Sequence, residues 1–255
     1  MGFEMASKLV IVHGVQTGSD EDAVKGPKQM ANAIERYIDG RVEFTSSFPA
    51  YEELNDEAQA VFRKISDLII KGLKSPVGKV FDSLVDLVGD VFVYRDEAGG
   101  AAIRALVRQT IDQNPNCVLV GHSLGSVVCF DILLEMMQQG LFKNKNRSEW
   151  PVKSLVTFGS PLALGMFKSD RALIAHGGTD PIHWYNYSDR NDPVISGRVF
   201  GSSFEQNNMM RDTYVDPNGQ FRIHDRQVET GFHLLAHINY WKQKNIIMRI
   251  ADQLS

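Results

Sequence analysis

The chain has 255 residues and a nearly balanced charge, with 27 Lys and Arg against 31 Asp and Glu and a formal net charge of −4. Hydrophobic residues make up 43% of the sequence and charged residues 23%, which excludes an intrinsically disordered chain because there is ample apolar material for a core. The slight acidity disfavours nucleic acid as a partner, since proteins that bind nucleic acid carry basic faces.

Cysteine usage and the N-terminal segment predict a cytoplasmic location. The two cysteines, Cys117 and Cys129, lie in apolar segments and indicate buried thiols, which suit a reducing compartment. The N-terminal segment lacks the basic-then-apolar pattern of a secretory signal. No apolar run reaches the roughly 18 residues that a transmembrane helix needs. We therefore expect a cytoplasmic chain without a transmembrane segment.

Apolar runs of strand length alternate with stretches of helical periodicity. Strands are predicted at 8–12, 41–45, 117–121, 152–158 and 182–187, and helices at 27–38, 98–112, 124–139 and 233–253. This alternation is typical of an α/β fold with a mostly parallel central sheet flanked by helices. No repeat or linker divides the sequence, so we predict a single domain over residues 1–255.

Two segments depart from the alternation. Residues 48–95 carry long apolar stripes at helical spacing, which predict a helical, cap-like insertion within the domain. The apolar stripes in 61–93 could cover an apolar pocket, make weak contact with a membrane surface, or pack against the sheet. Farther along, Asp216-Pro217-Asn218-Gly219 is a turn signal between two short apolar runs, 213–215 and 221–223, and predicts a β-hairpin.

The segment Gly121-His122-Ser123-Leu124-Gly125 lies between an apolar strand and an apolar-striped helix. G-x-S-x-G is a weak signal alone, but this context is that of a nucleophile elbow. In such a tight turn the two glycines leave room for the backbone, and Ser123 is held with its hydroxyl at the end of the strand. The N–H of Leu124 points into the same space at the positive end of a helix. The alternative is a glycine-rich turn with a solvated serine.

A serine hydroxyl needs a base to remove its proton, and the base needs an acid to orient it. Candidate acids follow the predicted strand 182–187, because a catalytic acid belongs in the loop after a strand's carboxyl end. Asp189 and Asp192 both qualify by position. We favour Asp192, since the longer loop lets it turn back toward an imidazole and Pro193 stiffens the turn. Asp189 remains the alternative.

Three of the seven histidines, His224, His233 and His237, lie downstream of the acid. We favour His237 as the base, with His233 as its rival, and the other of the two would be a partly buried helix histidine. His233 and His237, four residues apart, could also bind zinc, but Leu234 stands where an H-E-x-x-H motif has its Glu. We therefore expect no metal site. We also expect no cofactor, because a Ser-His-Asp triad needs none.

Acyl transfer passes through a tetrahedral oxyanion, which preorganised backbone N–H groups stabilise. The segment His13-Gly14-Val15-Gln16 follows the first predicted strand, where a second donor beside Leu124 belongs. We expect this donor to be the N–H of Val15, with Gln16 as the alternative. Gly14 allows the backbone to approach closely.

Five segments, in order over most of the chain, resemble the α/β-hydrolase superfamily and in particular its bacterial lipase-like serine esterases. They are VIVHGV, VLVGHSLGSVV, LVTFGSPLAL, YNYSDRNDPVI and AHINYW. The resemblance implies Ser123 as nucleophile, Asp192 as acid and His237 as base, with oxyanion donors from Val15 and Leu124. The pattern His-x-x-Tyr-Trp favours His237 over its rival. Two departures stand out: HGVQTG replaces a glycine-rich HGGG, and the first strand looks like the superfamily's third.

The sequence thus predicts a serine hydrolase that cleaves a carboxylic ester, with a small-molecule or lipid-like substrate. A thioesterase or amidase with the same triad is the runner-up, because the same groups serve those carbonyls. A non-catalytic binding protein on the same fold is the third hypothesis, since fold alone does not choose among them. The sequence indicates neither the natural substrate nor the oligomeric state.

Overall fold

Six parallel strands form one sheet in a computed structural model that describes residues 6–14, 25–49, 98–168, 171–192, 194–196, 209–231, 236–237 and 239–255. The strands are β1 (Ser7–Val12), β2 (Phe44–Ser47), β3 (Cys117–His122), β4 (Val152–Phe158), β5 (Ile182–Ser188) and β6 (Phe221–Gln227). Their order across the sheet is β2-β1-β3-β4-β5-β6, and each neighbouring pair runs parallel.

Helices connect these strands and cover the sheet. The α-helices of the described residues are α1 (Lys25–Ile38), α2 (Ala98–Gln113), α3 (Leu124–Gln138), α4 (Gly165–Lys168), α5 (Met210–Thr213) and α6 (Lys244–Leu254). Short 3-10 helices span Arg147–Glu149, Pro161–Ala163 and Asn239–Lys242.

The sheet is buried on both faces, as β1 illustrates. Successive side chains of a strand point to opposite faces. Val10 and Val12 join the core formed with α2 and α3, whereas Leu9 and Ile11 join the core formed with α1 and α6. A strand covered on both sides needs apolar residues at every position, which is why this segment is a continuous apolar run. The predicted fold class, a parallel sheet flanked by helices, is confirmed.

Parallel pairing brings the loops that carry the candidate residues to one edge of the sheet. The carboxyl ends of parallel strands lie together, and ligands of open α/β sheets bind there. Val12 at the end of β1 pairs with Gly121 of β3, and His122 at the end of β3 pairs with Phe158 of β4. The loops that follow β1, β3, β4 and β5 therefore start from the same edge.

The predicted β-hairpin is wrong. Residues 210–213 form α5, and β6 pairs in parallel with β5 instead of forming a hairpin with residues 213–215. Asp225 of β6 accepts hydrogen bonds from the N–H groups of Met210 and Arg211 (2.9 and 3.0 Å), which ties the start of α5 to the strand. Asp216 accepts from the Phe221 N–H (2.6 Å), so the turn residues close a loop ahead of β6.

Two element boundaries also differ from the prediction. The second strand is Phe44–Ser47 and not 41–45, because the Arg41 guanidinium donates to the carbonyls of Tyr37 and Ile38 (both 2.8 Å) and so belongs to the end of α1. The last helix is α6 alone, since the segment before it forms the 3-10 helix Asn239–Lys242.

The predicted insertion at 48–95 lies almost wholly outside the described residues, which resume at 98 after 49. Within the described ranges, no helix is both long enough and apolar enough to cross a membrane. Cys117 and Cys129 are free and buried, as predicted, and burial raises the pKa of the Cys117 thiol to about 12.

Candidate active site

Ser123 stands between β3 and α3 in a strained turn. Its backbone has φ 52° and ψ −131°, a positive φ that non-glycine residues rarely adopt. Such conformations cost about 1–3 kcal/mol and persist only where the surroundings impose them. The turn lifts the side chain off the end of the sheet, which is the geometry expected of a nucleophile elbow.

The two elbow glycines are required by close backbone approach. A Cβ placed on Gly121 would lie 2.6 Å from the Ser126 Cα. A Cβ placed on Gly125 would lie 2.4 Å from the carbonyl oxygen of Val12, so the start of α3 touches the end of β1 directly. Neither contact leaves room for a side chain.

Hydrogen bonds from β4 and its following loop brace the elbow. The Ser123 N–H donates to the carbonyl of Phe158 (3.1 Å). The Ser126 hydroxyl lies within hydrogen-bond distance of the Ser123 carbonyl and of the Ser160 hydroxyl (2.6 Å), and Ser160 accepts from the Leu162 N–H (3.4 Å). The sequence assigns no role to Ser126 or Ser160; the signal for both was their place in the segments VLVGHSLGSVV and LVTFGSPLAL.

The structure brings Ser123, His237 and Asp192 together from three separate segments of the chain. His237 Nε2 lies 2.8 Å from Ser123 Oγ, and His237 Nδ1 lies 2.8 Å from Asp192 Oδ2. Asp192 is fully buried, and His237 and Ser123 are 6% and 7% exposed. With the imidazole proton on Nδ1, that nitrogen donates to the carboxylate and Nε2 accepts from the serine hydroxyl.

The alternative acid, Asp189, makes its hydrogen bonds with residues other than His237. Its carboxylate accepts from the backbone N–H of Asn191 (2.8 Å) and from the backbone N–H of Thr230 (2.5 Å). The Thr230 hydroxyl lies 2.7 Å from both the Asp189 carboxylate and the carbonyl of Ala236, the residue before His237. Asp189 therefore ties the loop after β5 to the segment that carries the histidine.

His122, the residue before Ser123, contacts His237 through its backbone and its ring. Its Nε2–H donates to the backbone carbonyl of His237 (2.9 Å), and the two rings lie with centroids 4.9 Å apart. Phe158 and Trp241 enclose the ring at 5.2 and 4.9 Å. Burial, with a smaller effect of His237, lowers the pKa of His122 well below its usual value. The ring is therefore neutral and serves as packing and as a backbone anchor.

Tyr240 links the loop after β5, which carries Asp189 and Asp192, to the segment that follows His237. Its hydroxyl lies 3.1 Å from Asp192 Oδ2 and accepts from the Asp189 N–H at 2.8 Å. Beyond its place in the pattern after His237, the sequence assigns Tyr240 no role. Its function depends on a contact across 48 positions of the chain, which no local pattern reveals.

The described residues hold one of the two predicted oxyanion donors. Leu124 is the first residue of α3, where backbone N–H groups lack an acceptor within the helix. Val15 and Gln16 lie outside the described residues, as does His233. Gly14 precedes them and comes so close to the elbow that a Cβ on it would lie 2.6 Å from the Ser123 Cβ.

No cluster of three or more His, Cys, Asp or Glu side chains in the described ranges could hold a metal ion. His13, just after β1, is 3% exposed, and burial lowers its pKa to about 4. Its Nδ1–H donates to the Gly14 carbonyl (2.7 Å), so the ring is fixed in place beside the elbow.

No protein-family model and no curated protein matches the sequence. Solved structures similar to it include a protein from Xanthomonas campestris described as a hydrolase of the alpha/beta superfamily, at 17% identity over 98% of each chain and a TM-score of 0.37. A cutinase-like protein from Cryptococcus sp. is 11% identical over 98% of this chain and 95% of its own, with a TM-score of 0.40. A fungal esterase from Rhizomucor miehei is 9% identical over 99% of this chain and 76% of its own, with a TM-score of 0.42. These identities and TM-scores are too low to assign a function to this chain.

Proposed function

We propose that this chain is a serine hydrolase that cleaves carboxylic esters through an acyl-enzyme on Ser123. The observation that carries the proposal is the pair of short contacts through His237, 2.8 Å to the Ser123 hydroxyl and 2.8 Å to the Asp192 carboxylate. A nucleophile within reach of a base, with the base oriented by a buried carboxylate, is the arrangement that activates a serine.

In the first half of the reaction, Ser123 Oγ attacks the ester carbonyl carbon as His237 Nε2 takes the hydroxyl proton. Asp192 accepts the Nδ1–H, which fixes the tautomer and stabilises the imidazolium that forms. The carbonyl oxygen becomes an oxyanion, which the N–H of Leu124 and an N–H from the loop after β1, that of Val15 or Gln16, would stabilise. The bond to the alcohol oxygen then breaks as Nε2 returns its proton to that oxygen.

In the second half, water attacks the acyl-enzyme. His237 Nε2 removes a proton from the water as the water oxygen bonds to the acyl carbon, and the same oxyanion donors act again. The bond between the acyl carbon and Ser123 Oγ breaks as the proton returns to Oγ. The carboxylic acid leaves, and Ser123 is regenerated with no cofactor consumed.

The substrate class follows from this chemistry and from the composition of the chain. A neutral ester, small or lipid-like, is favoured because the overall charge is balanced. Cytoplasmic location and weak membrane contact by residues 61–93 stay predictions from the sequence. Thioesters and amides present the same carbonyl, so the ester proposal is tested against them directly.

The test is a panel of p-nitrophenyl esters of graded acyl length, run beside matching acyl-thioesters and anilides, with wild type and Ser123→Ala. We expect the highest kcat/KM on an ester and a loss of about 10³-fold or more in the variant, because the nucleophile is gone. Ser148→Ala, at an exposed serine, is the matched control and should equal wild type. Near wild-type turnover by Ser123→Ala would overturn the proposal. A higher kcat/KM on thioesters or anilides would show that the substrate is a thioester or an amide and not an ester.

A further inference from the structure

The oxygen of Asp192 that faces the histidine has a second hydrogen-bond donor. Oδ2 lies 2.8 Å from His237 Nδ1 and 3.1 Å from the Tyr240 hydroxyl. The other oxygen, Oδ1, accepts from the Val194 N–H at 2.9 Å. Because Asp192 is fully buried, these three donors take the place of water around its negative charge.

The direction of the Tyr240 bond is fixed by its surroundings. A phenol has one proton to donate. The Asp189 N–H donates to the Tyr240 oxygen at 2.8 Å, so the phenol accepts there and its own proton is left for Asp192. Burial first, and then the charge of Asp192, raise the pKa of Tyr240 well above its usual value, so the phenol keeps this proton across the physiological range.

The position of the phenol is equally constrained. Tyr240 is 0% exposed, and its ring lies 5.8 Å from Phe158 and 6.1 Å from His122 between ring centroids. It belongs to the 3-10 helix Asn239–Lys242, which begins two residues after His237. One short segment therefore supplies both donors to Asp192 Oδ2, the His237 Nδ1–H and the Tyr240 hydroxyl.

We propose that Tyr240 is a positioning residue that sets how strongly Asp192 attracts the His237 imidazolium. The proposal rests on the proposed function in taking His237 as the base. A phenol bonded to Oδ2 takes up part of the carboxylate charge, so the imidazolium is stabilised less than it would be by an unshared Asp192. Without this phenol, Asp192 would attract the imidazolium more strongly.

Within the part of the chain that the structure describes, other titratable groups around His237 do not duplicate this effect. Ser123 meets the opposite nitrogen, and His122 below the ring is neutral because of its burial. Asp189 directs its carboxylate to Thr230 and Asn191. His13, beyond His122, is likewise held neutral by burial, which lowers its pKa to about 4. The charge that Tyr240 modulates is therefore that of Asp192.

The test is Tyr240→Phe, which keeps the ring and removes the phenol. We expect the titration midpoint of the His237 imidazole, followed by NMR and assigned with His237→Gln, to rise by about half a pH unit or more. The ascending limb of the kcat/KM–pH profile should move the same way. Tyr214→Phe is the matched control, because this buried phenol donates to the Leu162 carbonyl (2.9 Å) outside the site, and it should leave the midpoint in place.

An unchanged His237 midpoint in folded Tyr240→Phe would overturn the inference. If Tyr240→Phe does not fold, 3,5-difluorotyrosine at position 240 gives a stronger donor, and the midpoint should then fall; no movement would again overturn the inference. The NMR titration does not require turnover. If the wild-type protein cleaves no ester but Tyr240→Phe shifts the His237 midpoint as expected, the proposed function is rejected and this inference is retained.

Discussion

Asp189 and Asp192 belong to one loop, yet their carboxylates have different partners. Asp192 faces His237 at 2.8 Å, whereas Asp189 accepts from Thr230 and Asn191 and anchors the neighbouring segment. Both are almost fully buried, so burial alone does not distinguish the acid from the anchor. The distinction lies in which donors each carboxylate meets.

Replacing each carboxylate by its amide should separate the two roles. In Asp192→Asn, the amide no longer holds the correct imidazole tautomer, and we expect kcat to fall by about 10³–10⁴-fold. In Asp189→Asn, an N–H of the amide meets donors of Thr230, and we expect a loss of about 1–3 kcal/mol in the free energy of unfolding. Steady-state kinetics and urea denaturation on both variants measure this. Equal catalytic losses would contradict the assignment of Asp192 as the acid.

At the scale of elements, the elbow depends on direct contact between β1 and α3. The backbone of Gly125 meets the Val12 carbonyl so closely that α3 could not start where it does with any side chain at this position. The strained φ of Ser123 is imposed by this contact, by the hydrogen bond to Phe158 and by the serine pair behind the turn.

Gly125→Ala should therefore loosen the elbow. A methyl group 2.4 Å from the Val12 oxygen forces β1 and α3 apart, and we expect a loss of about 1–3 kcal/mol in the free energy of unfolding together with a fall in kcat. Gly165→Ala is the matched control, since a Cβ there meets nothing within 4 Å. Thermal denaturation and ester turnover report both effects. If Gly125→Ala were as stable and active as Gly165→Ala, the steric account of the elbow would be wrong.

At the scale of the whole molecule, stability is linked to pH by histidines that fold in the neutral form. Burial lowers the pKa of His13 to about 4 and holds that of His122 well below its usual value. The unfolded chain takes up protons on these rings below about pH 6.5 while the folded chain does not. The free energy of unfolding should therefore fall as the pH is lowered from about 6.5 toward 4.

For His13 alone the pKa difference corresponds to about 2 kcal/mol lost between pH 7 and pH 5. His13→Gln removes the titrating ring, so its free energy of unfolding should depend less steeply on pH by about that amount. Urea denaturation of wild type and variant at the two pH values measures the difference. An identical pH dependence in both proteins would show that His13 is not buried as a neutral ring.

Local sequence patterns predict the individual strands and helices better than they predict how those elements pair. β4 is predicted with the bounds that the structure shows, because this mostly apolar segment lies between Pro151 and Gly159, residue types that interrupt regular structure. The hairpin was wrong because the turn signal of Asp216–Gly219 is local, whereas the cap that Asp225 gives to α5 and the pairing of β6 are not. A turn motif shows where the chain bends but not which strand it joins.

The same limit separates the parts of the site. Ser123 and the elbow glycines follow from one contiguous motif, and the structure brings Asp192 and His237 to it. The roles of Tyr240 and Ser160 arise from contacts 48 and 34 positions away in the chain, so they emerge only with the fold. The patterns that contain these residues do not predict these contacts.

The central claim is that Ser123 is an activated nucleophile, and labelling with a fluorophosphonate probe tests it most directly. The probe reacts with a serine that a base activates, whatever the natural substrate is. We predict one adduct per folded chain, mapped by peptide mass spectrometry to Ser123, with no adduct in Ser123→Ala and strongly slowed labelling in His237→Gln. A folded wild-type protein that stays unlabelled, or an adduct on another residue, would contradict the claim.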